Sequence, residues 1–203
     1  MKILIAVPCM DQLPALFAQS LATLRRVGEC SVAFQMGSLI YTARNNLGRQ
    51  AIEHDFDYVL WLDSDMVFDP DLLERMLKTM EDNDYDFLTG LYFRRVAPYS
   101  PVLFDKLEYN EGAQWTEYKS LPDGLIQVGG CGFGCVLMKT EVLLSVQGRF
   151  NTMFDPLFGL GEDLAFCWRA RKCGYKLMCD TSLVVGHVGQ AVINDAFWRA
   201  YEG

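Results

Sequence analysis

The chain has 203 residues, 51% of them hydrophobic and 22% charged, which is enough apolar material for one substantial core and fits a single domain over residues 1–203. The formal net charge is −8 at pH 7, which argues against a protein that binds nucleic-acid phosphates or an anionic membrane surface mainly by charge. We therefore expect a small partner, or one that brings its own cation, and no nucleic acid.

The first half of the chain alternates between strands and helices. Residues 2–7 form a short β-branched run, which predicts a strand better than a secretory signal because Asp11 follows and no small-residue cleavage site is evident. After that strand the pattern predicts helices over 13–27, 39–54 and 71–80, which alternate with strands over 30–36, 58–63 and 86–93. Gly28 would close the first of these helices. Asp69 would be the N-cap of the third, with Pro70 in its first turn.

The second half is less regular at first and then returns to the same alternation. Residues 94–130 read as loops and hairpins, not as a linker between domains. They are followed by a predicted strand and helix over 131–146, a helix over 161–174, strands over 175–180 and 182–189, and a short terminal helix over 195–203. This order predicts a doubly wound α/β protein with a largely parallel sheet, in which ligands bind at the carboxyl ends of strands.

Composition also bears on the location of the protein. The seven cysteines lack the paired C-x-x-C spacing of a structural zinc site, so we expect small reduced thiols. No apolar stretch approaches the length that spans a bilayer. The expectation is a cytoplasmic protein without a transmembrane segment.

The stretch YVLWLDSDMVFDP at residues 58–70 carries the clearest chemical signal. Asp63 and Asp65 end an apolar strand, and burying two neighbouring carboxylates is costly unless something positive is bound there. A D-x-D at a strand end suits a hard divalent cation such as Mg²⁺ or Mn²⁺, shared between carboxylates and substrate phosphates. The pattern therefore favours a metal and phosphate site over a structural turn.

Two segments resemble the family 2 glycosyltransferases and their relatives with the GT-A fold. One is ARNNLGRQAIEHDFDYVLWLDSDMVFDPDLLERML, and the other is GEDLAFCWRARKCGYKL. The resemblance implies a Rossmann-like three-layer α/β/α sandwich with a mostly parallel central sheet. Residues 1–95 would form the half that binds the nucleotide sugar, and residues 96–203 the half that binds the acceptor and carries catalysis.

The resemblance implies a role for residues on the donor side. The backbone around Pro8, Cys9 and Met10 would form part of the base pocket, and Arg44 would help to hold the nucleotide. The donor would be a UDP- or GDP-linked sugar. The acceptor, whether a sugar, glycan, protein or small molecule, stays open.

The same resemblance assigns the metal. Asp65 would bind Mn²⁺ or Mg²⁺, and Asp63 would contact the ribose, or the metal through water, with Ser64 between them. On general grounds a lone histidine such as His187 is more often structural. With the resemblance it becomes a further metal ligand on a glycine-flanked mount, and residues 190–203 would close over the donor as a lid.

Asp163 would be the general base, with Glu162 beside it toward the acceptor. A single carboxylate in that position weakly favours inversion, and a retaining glycosyltransferase is the alternative. Two competing hypotheses of a different class are a sugar-1-phosphate nucleotidylyltransferase and a non-catalytic sugar-nucleotide-binding module. The family usually has an acidic residue at the end of the second strand, where this chain has Gln35 and Ser38, so the nucleobase stays open.

Overall fold

A computed structural model of the chain describes residues 1–110, 112–118, 120–189, 192–193 and 195–200. Its strands are β1 (Lys2–Cys9), β2 (Glu29–Met36), β3 (Tyr58–Leu62), β4 (Met66–Val67), β5 (Phe87–Leu91), β6 (Leu103–Tyr109), β7 (Ala113–Glu117), β8 (Leu125–Val128), β9 (Gly130–Cys131), β10 (Cys135–Lys139), β11 (Leu177–Val184), β12 (Gly186–Val188) and β13 (Val192–Ile193). Its helices are α1 (Ala15–Thr23), α2 (Ile40–Glu53), α3 (Leu72–Asn83), α4 (Thr140–Phe150), α5 (Glu162–Lys172) and α6 (Asp195–Arg199).

The centre of the fold is a seven-stranded sheet with the order β2-β1-β3-β10-β5-β11-β8. Strands β2, β1, β3, β5 and β11 run in one direction, while β10 and β8 run against their neighbours. The sheet is therefore mostly parallel, which confirms the predicted α/β architecture. The strand β10 lies within the strand and helix predicted over 131–146, but its antiparallel direction and its place between β3 and β5 were not predicted.

Both faces of this sheet are covered, as a run of continuous apolar residues requires. In β1, Leu4 and Ala6 point to one face, where they join a core that includes residues of α2, α4 and α5. Ile3, Ile5 and Val7 point to the other face, where the core includes residues of α1 and α3. The alternation of side chains along a strand thus produces three layers.

Two small sheets complete the structure. One has the order β7-β6-β9 and lies in the stretch predicted as loops and hairpins. The other has the order β13-β12-β4 and pairs Gly186 and His187 with Val67 and Met66. This second sheet brings a late part of the chain against the residues that follow the D-x-D.

Among the helix boundaries that differ from prediction, two have a clear physical reason. Helix α1 ends at Thr23, and not near Gly28, because Leu24 turns to an extended conformation and is buried, after which the Arg25 N–H donates to Pro70 O at 2.8 Å. Helix α3 begins at Leu72, two residues after Pro70, since the residues before it form a turn in which the Leu72 N–H donates to Asp69 O. Asp69 is therefore not the N-cap.

All seven cysteines lie in the described part of the chain, and each is a free thiol. Burial raises the pKa of Cys135 to about 12, so this thiol stays protonated at physiological pH. Within the described residues, no helix combines the length and apolar character needed to cross a membrane.

Candidate active site

A pocket of about 560 Å³ opens at the carboxyl ends of β1, β3 and β5. All the residues predicted for the site line it: Pro8, Cys9, Met10, Arg44, Asp63, Ser64, Asp65, Glu162, Asp163 and His187. They come from the end of β1, α2, the turn after β3, the start of α5, and β12, with the loop after β5 adding further residues. Parallel strands that end at one edge explain why residues so distant in sequence meet here.

The D-x-D forms a tight turn between the buried strand β3 and the short strand β4. The Asp63 N–H donates to Gly134 O at 3.1 Å, and the Met66 N–H donates back to Asp63 O at 3.2 Å. Met66 is fully buried on the far side of the turn. The apolar residues before and after the turn are thus held in the core, which leaves the two carboxylates facing the pocket.

The positive charge required near Asp63 is Arg44, whose side chain is only 2% exposed. Its Nη2 lies 3.0 Å from Asp63 Oδ1 and 3.3 Å from Asp163 Oδ1, and its Nε lies 3.8 Å from Glu162 Oε1. The guanidinium also stacks over the Phe133 ring, 5.1 Å from its centre. These carboxylates raise the pKa of Arg44 against the lowering effect of burial, so it stays charged. Arg44 therefore joins the two acidic pairs of the site.

Asp163 is the acid of this cluster whose pKa departs most from its ordinary value. Burial raises its pKa to about 7, with repulsion from Glu162 and Asp63 adding to the rise, while Arg44 and the Phe133 N–H oppose it. The Phe133 N–H donates to Asp163 Oδ2 at 3.3 Å. A carboxylate with a pKa near 7 can accept a proton efficiently at neutral pH, which is the property of a general base.

Burial also raises the pKa of Asp63, with Arg44 opposing the rise and Asp65 reinforcing it. The ion pair with Arg44 nevertheless occupies one of its carboxylate oxygens. The Asp63 side chain is therefore already paired with another side chain of the protein, Arg44. Asp65 makes its contacts with different residues.

Asp65 faces a histidine and an arginine. Its Oδ2 lies 3.4 Å from His187 Nε2 and 2.9 Å from Arg95 Nη1, and the backbone N–H of Val188 donates to its carbonyl at 2.8 Å. His187 Nδ1 lies 2.8 Å from Phe93 O. Because a carbonyl can only accept, Nδ1 carries a hydrogen and Nε2 is the atom turned toward Asp65.

This arrangement fits a metal ligand pair. A carboxylate oxygen and an imidazole nitrogen that face each other favour a cation between or beside them, and the Arg95 guanidinium takes that place in this structure. The hydrogen bond from Nδ1 to a carbonyl is the usual way in which a protein orients a metal-binding histidine. In the described part of the chain, however, no three His, Cys, Asp or Glu side chains are grouped so that they could hold a metal ion. Substrate or water oxygens would have to complete the coordination of the metal.

The backbone that carries His187 is paired within a sheet. His187 lies in β12, paired through the backbone with β4, and its side chain is 13% exposed. The edge of its ring meets the Tyr92 ring at 5.7 Å. Of the predicted lid, residues 190, 191, 194 and 201–203 lie outside the described residues. In the remainder Trp198 is buried and stacks on Phe93, 5.3 Å between ring centres.

Several residues of the pocket were not among the predicted site residues: Ser38, Tyr92, Arg94 and Arg95. The hydroxyl oxygen of Ser38 is buried and has no hydrogen-bond partner among the described residues. The Tyr92 hydroxyl accepts a hydrogen bond from the Gly134 N–H at 3.1 Å, and burial raises its pKa well above the ordinary value. The sequence shows that Arg94 and Arg95 follow a strand, but it does not show where their side chains point.

The glycines at 132 and 134 in GGCGFG are explained by the same tyrosine. A Cβ on Gly134 would lie 2.8 Å from Tyr92 Cζ and 3.0 Å from Met66 Sδ, so no side chain fits there. A Cβ on Gly132 would meet the Tyr92 hydroxyl even more closely. This stretch is therefore close packing behind the pocket and not a phosphate-binding loop.

Comparison with known proteins bears on the family and the fold of the chain. Residues 40–143, just over half of the chain, match the family model described as glycosyl transferase family 2. The crystal structure of A197 from STIV has a TM-score of 0.66 and 18% sequence identity, covering 96% of this chain and 94% of that one. At that identity the likeness shows a shared fold. No curated protein matches the sequence significantly.

Proposed function

The chain belongs to glycosyl transferase family 2, and from this we propose that it transfers a sugar from a UDP- or GDP-linked donor to an acceptor hydroxyl, with inversion and with Asp163 as the base. The observation that carries the proposal is the meeting of two acidic pairs across one pocket. Asp63 and Asp65 lie on one side and Glu162 and Asp163 on the other, and the buried Arg44 touches both pairs.

The pocket has the size and shape expected of a donor site. Its volume of about 560 Å³ lies within the range of small-molecule pockets. The end of β1 offers the surface for the nucleobase and ribose, and Ser38 lines the same pocket. The diphosphate would lie toward Asp65, where Arg95 also lines the wall, and the sugar would lie on the pocket side of Asp63 and Asp163.

Mn²⁺ or Mg²⁺ would be held by Asp65 and His187, since one offers an oxygen and the other an oriented nitrogen. When bound, such a cation stabilises the negative charge that grows on the leaving diphosphate. Asp63 would be turned to the ribose, or to the metal through a water molecule, while its other oxygen stays with Arg44.

Asp163 would take the proton of the acceptor hydroxyl as the new glycosidic bond forms. Its pKa of about 7 suits this step at neutral pH. Its place at the start of α5, beside Arg44, fixes the orientation of the Asp163 side chain. Glu162, which contributes to the raised pKa of Asp163, would face the acceptor. One base carboxylate across the pocket favours inversion over retention.

The test is turnover of nucleotide sugars. Purified protein is incubated with UDP- and GDP-sugars, Mn²⁺ and simple sugar acceptors, and we measure nucleotide release and the anomeric configuration of the product by NMR. We expect Asp163→Asn to lower turnover by about 10² to 10⁴ with donor affinity nearly unchanged. Glu141→Gln is the matched control, because Glu141 is an exposed acid in the first turn of α4.

Three results would contradict the proposal. Binding of a donor without turnover of any sugar would favour the non-catalytic module. Formation of a nucleotide sugar from a nucleoside triphosphate and a sugar 1-phosphate would favour the nucleotidylyltransferase. A product with the donor's anomeric configuration would favour the retaining reaction.

A further inference from the structure

Arg95 lies where a cation bound to Asp65 would need room. Its Nη1 is 2.9 Å from Asp65 Oδ2, the same oxygen that lies 3.4 Å from His187 Nε2. The stem of Arg95 rests over Gly189, where a Cβ would lie 3.4 Å from its Cβ, Cγ and Cδ atoms. The guanidinium is half exposed, with the Arg95 side chain 51% accessible. The charge of Asp65 is therefore balanced in this structure by a group that is free to move.

The neighbouring arginine behaves differently. Arg94 Nη2 pairs with Glu117 Oε1 of β7 at 2.6 Å. Its backbone N–H donates to Ser100 O at 2.9 Å, which closes the base of the loop that follows β5. The backbone is thus anchored immediately before Arg95, so rotation of the Arg95 side chain alone can release Asp65 without moving the loop.

Charge decides what happens when a divalent cation arrives. A guanidinium and a metal ion cannot share one carboxylate oxygen without strong repulsion, so binding of the ion displaces Arg95. Arginine presents a planar fork of N–H donors that matches phosphate oxygens, and a diphosphate beside the ion supplies several of them. The displaced side chain would therefore find a new anionic partner in the same pocket.

We infer that Arg95 exchanges partners during donor binding: it neutralises Asp65 in the free protein, gives way to the divalent cation, and then binds the diphosphate of the donor. This inference rests on the proposed function, because it takes the donor to be a nucleoside diphosphate. It assigns Arg95 two opposite effects, competition with the cation and support of the nucleotide, that a purely structural arginine would not have.

The experiment measures the two effects separately in Arg95→Gln. Loss of the free Mn²⁺ signal in electron paramagnetic resonance gives the affinity for Mn²⁺ alone, and calorimetry gives the affinity for UDP and for GDP in saturating Mn²⁺. We expect Mn²⁺ alone to bind about threefold more tightly, the size of one exposed ion pair. We expect the better-bound nucleotide to bind about tenfold more weakly, as for a lost charged hydrogen bond.

Two further variants sharpen the result. Arg94→Gln removes the same charge one residue away and should change neither affinity by more than about twofold, since Arg94 is paired with Glu117. Arg95→Lys keeps the charge but not the fork, so it should restore Mn²⁺ competition and only part of the nucleotide affinity. Circular dichroism and the melting temperature check that all the variants fold.

The opposite signs make the inference refutable. It fails if Arg95→Gln does not tighten Mn²⁺ binding, if nucleotide affinity is unchanged, or if Arg94→Gln gives the same shifts. It also fails if neither wild type nor Arg95→Gln binds Mn²⁺. The measurements use no sugar and no acceptor, so failure of sugar transfer alone would refute the proposed function and leave this inference standing.

Discussion

Replacing the buried Arg44 by methionine should destabilise the protein strongly, and by an amount that depends on pH. Methionine retains much of the apolar stem but removes the charge that lies 3.0 to 3.8 Å from three carboxylates. Leaving buried carboxylates without their partner typically costs about 3 to 5 kcal/mol. For a chain of this size that corresponds to a fall of the melting temperature on the order of 10 °C at pH 8.

The sign of the pH dependence follows from the acids that remain. Burial already raises the pKa of Asp63 above the value near 3.8 of the unfolded chain, and it raises the pKa of Asp163 to about 7. Loss of Arg44 raises both pKa values further. Such groups favour the folded state while protonated, and this stability is lost as pH rises through the folded pKa. The loss caused by Arg44→Met should therefore be smaller at pH 5.5 than at pH 8, by about 1.4 kcal/mol if the mutation raises one of these pKa values by one unit.

Urea unfolding followed by tryptophan fluorescence at both pH values measures these free energies. Arg169→Met is the matched control, because Arg169 is 3% exposed but donates to a carbonyl, Met153 O, at 3.0 Å. Its removal should cost the same at pH 5.5 and pH 8. Equal losses at the two pH values for Arg44→Met would refute the electrostatic reasoning and reduce the role of Arg44 to packing on Phe133.

Three more predictions follow from the site. If Asp163 is the base, kcat/KM should fall about tenfold per pH unit below about pH 7, because its carboxylate must be ionised, and Asp163→Asn should lose this dependence in a pH series. His187→Ala should weaken Mn²⁺-dependent binding of UDP or GDP by more than about tenfold in calorimetry, and EDTA should abolish that binding. Unchanged binding with a lower melting temperature would make His187 structural. Gly134→Ala should cost about 1 to 3 kcal/mol in urea unfolding, because its Cβ would meet Tyr92, whereas Gly148→Ala in α4, where no atom of the described residues lies within 4 Å of the added Cβ, should gain up to about 1 kcal/mol.

Much of the layered fold was predictable because its signals are local. Continuous apolar runs mark β1 and β3, and the helices between them have an apolar face, so the strand and helix order follows from periodicity. The position of β10 was not predictable in this way. Its sequence, CVLMK, suits any buried strand, and its antiparallel pairing between β3 and β5 depends on contacts with residues far away in the chain.

In the candidate site, too, the local signals could be predicted and the contacts between distant residues could not. Asp63 and Asp65 could be located because charge at the end of an apolar strand is unusual, whereas the roles of Glu162 and Asp163 came only from the resemblance of the segment GEDLAFCWRARKCGYKL to the family. The ion pairs could not be predicted. That Arg44 would face both acidic pairs, and that Arg95 would rest on Asp65, depend on how separate elements pack, and a one-dimensional pattern carries no such distances.

The place of β10 also affects the order in which the protein can assemble during synthesis. When a ribosome has released only the first 95 residues, β1, β2 and β3 can pair with one another, but β5 has no neighbour, because the strand that joins it to β3 spans residues 135–139. The D-x-D turn would then lack the Gly134 carbonyl, which accepts a hydrogen bond from the Asp63 N–H in the complete fold. Nascent chains should therefore stay sensitive to protease at least until residue 139 has left the exit tunnel, and should become fully resistant only after α5 and β11, which end at residues 172 and 184, have followed.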